Sequence, residues 1–256
     1  MININLEKIK NKILDFVFPR HCVICDAVLP FGNGLENKHL CSDCKKHFKE
    51  IFLFINEPTC KKCGAMINDE EELYCDRCKN KLYESFDYGF GLLRYNDFIK
   101  ESLHRIKYNG RKEYLEFYGK YIAKAFYEKI KSINPDCFVP VPIHKNRLRE
   151  RNYNQATVLS YAISDELKKY NINIPVDEKL IFRRKNTVPL NKLSEDERSK
   201  QIKNAFITNE NKNIKSVIIV DDIYTSGNTI NEMAISLKNV GVEKIYFITI
   251  VVVDNI

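Results

Sequence analysis

The C-terminal part of the chain alternates apolar strands with an amphipathic helix. Residues 216–220 form a short apolar, β-branched run that ends in Asp221 and Asp222, a pattern typical of a buried parallel strand. Behind it, apolar residues recur at helical spacing: Ile230, Met233, Ala234 and Leu237. Gly241 supplies a helix stop, and residues 244–253 form a second apolar run. The order strand, loop, helix, strand predicts a βαβ unit.

Further segments extend this pattern toward the N-terminus. Residues 137–142 are typical of another strand, and a basic loop and a helix follow it. One face of that helix is apolar: Ala156, Leu159, Ile163 and Leu167. We therefore expect an α/β domain over residues 83–256, with a central parallel sheet, helices on both faces and a connecting helical region near 95–131. Residues 1–20 favour an N-terminal packing helix over a membrane-surface helix.

The composition is that of a folded protein, with 44% hydrophobic and 29% charged residues. No run of apolar residues approaches the roughly 20 that a transmembrane helix needs, and the N-terminal stretch lacks a signal-peptide cleavage site. We therefore expect a cytoplasmic protein with no transmembrane segment, and peripheral attachment at the inner face of the membrane is the alternative. The formal net charge of +7 is modest, so a nucleic-acid partner has to be argued from where the basic residues lie.

Eight of the nine cysteines form Cys-x-x-Cys pairs. The pairs are Cys22/Cys25, Cys41/Cys44, Cys60/Cys63 and Cys75/Cys78. Two such pairs supply the four thiolates of a closed, structural Zn²⁺ site, so the set predicts two zinc sites in a cysteine-rich module at residues 21–82. The spacing suits two consecutive ribbons, and an interleaved pairing is the alternative. Disulfides are disfavoured in a reducing compartment, and an iron–sulfur cluster is the competing metal assignment.

The loop between strand 216–220 and the following helix has the chemistry of a phosphate site. Its residues are Thr225, Ser226, Gly227, Asn228 and Thr229. Hydroxyls, a permissive glycine and the N–H groups of a helix N-terminus together suit a monophosphate. The preceding Asp221 and Asp222 suit ribose hydroxyls or Mg²⁺. A simple helix cap is the alternative for the loop alone, but the strand, the acidic pair and the loop occur together.

Basic residues gather in two further places. The loop after strand 137–142 carries Lys145, Arg147, Arg149 and Arg151, and the helical region upstream carries Lys107 and Arg111. These cations are candidates to face a diphosphate or a nucleic-acid backbone, with a solvated charge run as the alternative. Tyr108 and Tyr153 stand beside them and are candidates to stack on bases, with packing as the alternative.

These motifs resemble those of known families. Residues 217–229 resemble the ribose-5-phosphate loop of type I phosphoribosyltransferases. Most of the chain resembles the ComF family of DNA-uptake competence proteins. This resemblance rests on the cysteine pairs, Val-Pro-Val-Pro at 139–142, the Arg-rich stretch into Asn-Tyr-Asn-Gln-Ala at 152–156 and the acidic loop. One departure is Asn152-Tyr153, where the family usually has Gly-Phe.

The resemblance implies a type I phosphoribosyltransferase-like parallel sheet behind a zinc-ribbon module. Residues 225–229 would bind the 5-phosphate of phosphoribosyl pyrophosphate (PRPP), Asp221 and Asp222 its ribose hydroxyls, and Mg²⁺ would bind through the ligand. It also implies handling of incoming single-stranded DNA, with a DNA-uptake helicase as partner. We favour an accessory protein that binds single-stranded DNA and a PRPP-type ligand. The alternative is an active phosphoribosyltransferase that joins a nucleobase or an amine to ribose-5-phosphate.

Overall fold

A computed structural model describes most of the chain: residues 19–30, 39–46, 58–67, 71–80, 85–185, 201–210 and 213–253. Its helices are α1 Ser42–Lys46, α2 Asp76–Lys79, α3 Asp97–Tyr108, α4 Glu113–Ile133, α5 Lys145–Arg151, α6 Gln155–Leu167 and α7 Asn228–Lys238. Its strands are β1 Tyr88–Arg94, β2 Cys137–Pro140, β3 Ile181–Arg183, β4 Phe206–Thr208, β5 Ser216–Tyr224 and β6 Lys244–Val252. The helix expected over residues 1–20 falls on 1–18, which lie outside the described residues.

Four of the strands form one parallel sheet in the order β1-β6-β5-β2. The predicted βαβ unit is β5, α7 and β6, and its two strands lie side by side, with Ile219 opposite Phe247. β3 and β4 pair separately as an antiparallel ribbon. The parallel sheet expected from the sequence is therefore confirmed. The basic stretch expected as a loop after β2 is instead the helix α5.

The edge strand β1 has no counterpart in the sequence prediction. Its sequence, Tyr-Gly-Phe-Gly-Leu-Leu-Arg, contains two glycines, which are normally unfavourable inside a strand. Both are required by packing against β6. A Cβ atom on Gly89 would lie 2.1 Å from the ring of Phe247, and one on Gly91 would lie 2.6 Å from Val252. Large side chains of the neighbouring strand thus fill the space that the glycines leave.

Helices cover both faces of the sheet, as predicted. α3, α4 and α6 pack on one face, where Ile106, Ile122 and Leu159 join a core with Ile218 and Ile248 of the sheet. The opposite face is covered by α7 and by β3 and β4. There the buried residues include Met233, Leu237, Phe206, Val217, Ile219 and Ile245. Successive strand residues alternate between these cores, because side chains of a strand point to opposite faces. None of the helices described is long and apolar enough to cross a membrane.

The cysteine-rich region is divided between the two cores. Cys22 and Ile24 belong to the core beneath α3, α4 and α6. Cys60, Cys63 and Cys78 belong to the core on the α7 side. All five side chains are at most 2% exposed. The two halves of the region therefore pack against different faces of the α/β domain.

Candidate functional site

The cysteines form two groups of four in consecutive order. One group is Cys22, Cys25, Cys41 and Cys44, the other is Cys60, Cys63, Cys75 and Cys78, and in each group the sulfur atoms lie within 4.8 Å of one another. The sulfur atoms of Cys63 and Cys75 are 3.7 Å apart. Ligands 2.3 Å from a tetrahedral zinc ion are separated by about 3.8 Å, so both sets fit Zn²⁺. The consecutive pairing is thus correct, and the cysteines are free rather than in disulfides.

The two ribbons share one local design. In each, the residue after the second cysteine has a left-handed backbone, with φ of 63° at Asp26 and 74° at Gly64. The N–H of that residue donates to the carbonyl of the first cysteine, at 2.8 Å for Asp26 and 2.9 Å for Gly64. Asp and Gly tolerate this conformation, which bends the chain so that both thiolates face the metal. Sulfur occupies all four ligand positions in each of the two sites, so both sites are structural.

The predicted phosphate loop lies between β5 and α7. Gly227 has a φ of 83° and precedes α7 as its N-cap without offering a side chain to the helix N–H groups. Those N–H groups have no acceptor within the helix and carry partial positive charge. Thr225 and Thr229 line a cavity of about 560 Å³ at the carboxyl edge of the sheet. The buried Nδ2 of Asn228 has no hydrogen-bond partner within the described residues.

The acidic pair lies at the floor of the same cavity. Asp222 forms an ion pair with Lys107, whose Nζ is 2.8 Å from Oδ2, and only 8% of the Asp222 side chain is exposed. The backbone N–H of Asp222 donates to Oδ1 of Asp221 at 2.8 Å. Burial and the Asp222 carboxylate raise the pKa of Asp221 to about 7, against the lowering effect of Lys107. The two carboxyls thus differ in their partners. Asp222 is paired with the Lys107 ammonium group, whereas Asp221 is available to a ligand or a proton.

The predicted cations divide between the cavity and other surfaces. Lys107, Arg147 and Arg151 line the cavity. Lys145 and Arg149 are exposed on α5 and are not among its lining residues. Arg147 and Arg151 are four residues apart, so they share one side of the helix. Arg111 also lies elsewhere, because its Nε is 3.3 Å from Oδ1 of Asp26 in the first zinc ribbon.

Other residues of the cavity were not predicted from the sequence. They include Lys100, His104, Asn154, Gln155 and Arg183. Gln155 is 4% exposed, and its Oε1 accepts from Arg151 at 3.2 Å. Its Nε2 is buried without a partner in the described part of the chain, which leaves a donor for a ligand oxygen. Gln155 belongs to the Asn-Tyr-Asn-Gln-Ala motif, so the motif was a signal for it. Arg183 was not singled out as a site residue from the sequence.

The two candidate stacking tyrosines have different roles. Tyr108 is 58% exposed at the cavity, with the Arg151 guanidinium 5.3 Å from its ring centre. Tyr153 packs instead. Its hydroxyl donates to the Ile106 carbonyl, and burial raises its pKa to about 12. Asn152 has a φ of 62°, and asparagine tolerates this left-handed conformation better than most residues. The position therefore accepts the family's usual glycine or this asparagine for the same reason.

Comparison with known proteins agrees with this architecture. A double zinc ribbon domain matches residues 13–79, and a phosphoribosyl transferase domain matches residues 155–255. The chain is thus a double-zinc-ribbon protein with a phosphoribosyltransferase domain. It is 29% identical to Competence protein F of Haemophilus influenzae, over 89% of this chain and 95% of that protein. It is 25% identical to Competence protein ComFC of Bacillus subtilis, over 86% of this chain and 89% of that protein.

A third relative carries a different name. DNA utilization protein YhgH of Escherichia coli is 24% identical, over 84% of this chain and 89% of that protein. All three similarities extend across both domains rather than one of them. The ComF-like organisation that the motifs predicted, a double zinc ribbon followed by a phosphoribosyltransferase domain, is thus confirmed, and relatives named as competence proteins match most of the chain.

Proposed function

We propose that this protein acts in DNA uptake as an accessory protein that binds single-stranded DNA and a PRPP-type ribose phosphate. The single observation that carries the proposal is the cavity at the sheet edge, where the phosphate loop and the acidic pair face a basic wall. The names of the relatives, which refer to competence and to DNA utilization, support the biological setting. A DNA-uptake helicase as partner and a cytoplasmic location belong to the same proposal, with peripheral attachment at the inner face of the membrane as the alternative.

The cavity suits a ribose 5-phosphate group. The N–H groups at the start of α7, together with the Thr225 and Thr229 side chains, offer donors to a phosphate. Asp221 is available to accept from ribose hydroxyls. Because Lys107 already neutralises Asp222, Mg²⁺ would be held mainly by the phosphates of the ligand and by Asp221. A diphosphate would then extend toward Arg147 and Arg151.

The same wall suits the backbone of a DNA strand. Lys100, Arg147 and Arg151 surround the cavity, and the exposed Tyr108 ring lies among them. Phosphate contacts from cations and stacking on an aromatic ring together give binding to single strands with little sequence preference. The modest overall charge is compatible with DNA binding, because several cations line this one cavity: Lys100, Lys107, Arg147, Arg151 and Arg183.

Ligand binding is tested by calorimetric titration with PRPP and Mg²⁺. We expect binding by the unaltered protein and none by the Asp221→Asn, Asp222→Asn double variant or by Gly227→Val, which places bulk in the loop. Unchanged affinity in these variants would rule out this site. Pyrophosphate release is measured in parallel with a panel of nucleobases and amines. Turnover with any acceptor would make the protein an active phosphoribosyltransferase.

DNA binding is tested by the dependence of affinity on salt. Arg147→Ala with Arg151→Ala should weaken binding to single strands and reduce the slope of log K against log salt by roughly 0.7 for each lost contact. Lys145→Ala with Arg149→Ala is the matched control, because it removes the same charge from the outer side of α5. Equal losses in both variants would place the DNA outside the cavity. No retention of single strands even at low salt would refute DNA binding.

A further inference from the structure

The second zinc ribbon contacts the phosphate loop through one arginine. Arg77 lies on α2 between two zinc-site cysteines, Cys75 and Cys78. Its Nη1 donates to the carbonyl oxygen of Thr225, and its Nη2 donates to the carbonyl oxygen of Val253 at 3.0 Å. One guanidinium therefore bridges the first residue of the loop and the residue that follows β6. These partners are 148 and 176 positions away along the chain.

These hydrogen bonds fix the orientation of the loop backbone. A peptide unit is planar and trans, so holding the Thr225 carbonyl toward Arg77 turns the Ser226 N–H to the opposite side, away from the zinc ribbon. The guanidinium also lies 5.7 Å from the centre of the Tyr224 ring, at the end of β5. A phosphate-binding loop needs N–H groups that already point at the ligand, because ordering them during binding would cost affinity.

The ribbon that carries Arg77 is itself attached firmly to the sheet. The carbonyl of Lys62 accepts from the Gly89 N–H of edge strand β1 at 2.8 Å. Gly64 packs so closely on this strand that a Cβ would lie 2.8 Å from the Cα of Phe90. Residues of the ribbon thus connect to β1 on one side and to the loop on the other. Thiolates held by one metal ion would make this connection rigid, since a structural zinc supplies the folding energy of its module.

We infer that Arg77 is a positioning residue for the phosphate loop, and that the second zinc ribbon serves as a brace for the ligand cavity. The inference rests on the proposed ribose phosphate site, although the contacts themselves do not depend on it. Arg77 acts on the ligand through the Thr225 peptide and is not itself among the residues that line the cavity. The cysteine-rich region therefore contributes to small-molecule affinity in addition to any contact it makes with DNA.

The test removes the brace and leaves the metal site intact. Arg77→Met should weaken binding of PRPP with Mg²⁺ by about tenfold, the loss expected from removing charge-assisted hydrogen bonds to the loop. Hydrogen exchange of the amides at 225–229 should become faster, while zinc content stays the same. Lys79→Met is the matched control on the same helix, because among the described residues Lys79 forms ion pairs with the nearby Glu72 and Asp76 and not with the loop. It should change neither measurement.

Arg77→Lys separates the geometry of the contact from its charge. A lysine keeps the positive charge beside the cysteines but cannot bridge two carbonyls as a planar guanidinium does. We expect intermediate affinity and intermediate amide exchange. If Arg77→Met loses zinc, the comparison of Arg77→Lys with the unaltered protein decides the question.

The outcomes distinguish this inference from the proposed function. Unchanged affinity and unchanged loop exchange in the arginine variants would overturn the positioning role. If the unaltered protein binds no PRPP, the proposed ligand is wrong, and amide exchange alone then decides the role of Arg77. Faster exchange at 225–229 supports the brace, and unchanged exchange refutes it.

Discussion

The carboxyl of Asp221 should titrate near neutral pH and couple ligand binding to proton release. Burial and the adjacent Asp222 carboxylate raise its pKa to about 7, while Lys107 partly opposes the rise. A ribose hydroxyl donates to the ionised carboxylate, and Mg²⁺ also prefers that form, so binding selects the ionised state. The free protein must then lose the proton when PRPP binds.

The size of the effect follows from this pKa. With a pKa of about 7, roughly half of the Asp221 carboxyls are protonated at pH 7, about nine in ten at pH 6 and about one in ten at pH 8. If only the ionised form binds, the affinity at pH 6 is about tenfold lower than at pH 8 through this group alone, or about 1.4 kcal/mol. Proton release should fall from about 0.9 per ligand at pH 6 to about 0.1 at pH 8.

Calorimetry in buffers of different ionisation enthalpy measures this proton release directly. The phosphates of PRPP also titrate near pH 6, so the protonation of the ligand with Mg²⁺ alone is measured separately and subtracted. Lys107→Met should raise the pKa of Asp221 further and move the release to higher pH, because it removes the cation that lowers this pKa most. Proton release that is the same at pH 6 and pH 8 after this subtraction would refute the reasoning.

The same raised pKa predicts how stability depends on pH. Between about pH 4 and pH 7 the folded protein holds a proton on Asp221 that the unfolded chain has released. The contribution of this group to stability therefore falls as pH rises through that window. Asp221→Asn should remove this contribution to the pH dependence of stability. The difference in stability between the variant and the unaltered protein should therefore be more favourable to the variant at pH 8 than at pH 4. Thermal unfolding at the two pH values measures the difference.

Three further predictions follow from the fold. Elemental analysis should find two zinc ions per chain, and finding none together with disulfides would contradict the metal assignment. Gly64→Ala should destabilise the protein by more than the roughly 1–2 kcal/mol expected for placing alanine at a left-handed position. Gly110→Ala is the control, because Gly110 has a φ of 69° but open space around it, and it should cost only that amount. Urea unfolding measures both free energies. Asn152→Gly should leave stability nearly unchanged and Asn152→Val should lower it by roughly 1–2 kcal/mol, and equal effects would refute the backbone argument.

The features that the sequence determined are local in the chain. A Cys-x-x-Cys turn brings two thiolates together whatever lies around it, so the spacing was sufficient to predict two zinc sites. The β-branched run 216–220 and the helical spacing behind it likewise specify a βαβ unit with its loop at the sheet edge. The left-handed position at Asn152 was not predicted from the sequence, although its residue preference reflects one local backbone angle.

The tertiary structure decided everything that depends on distant segments. The sequence left the pairing of the cysteine pairs open, and the packing of the two ribbons against opposite faces fixed it. β1 was not predicted because its glycines are required by close contacts with Phe247 and Val252, which belong to a strand far along the chain. The basic residues after β2 looked equivalent, but the helical phase and docking of α5 bring only Arg147 and Arg151 to the cavity. The contact between Arg77 and Thr225 spans 148 positions. No local pattern encodes such a contact, because it depends on how the whole chain packs.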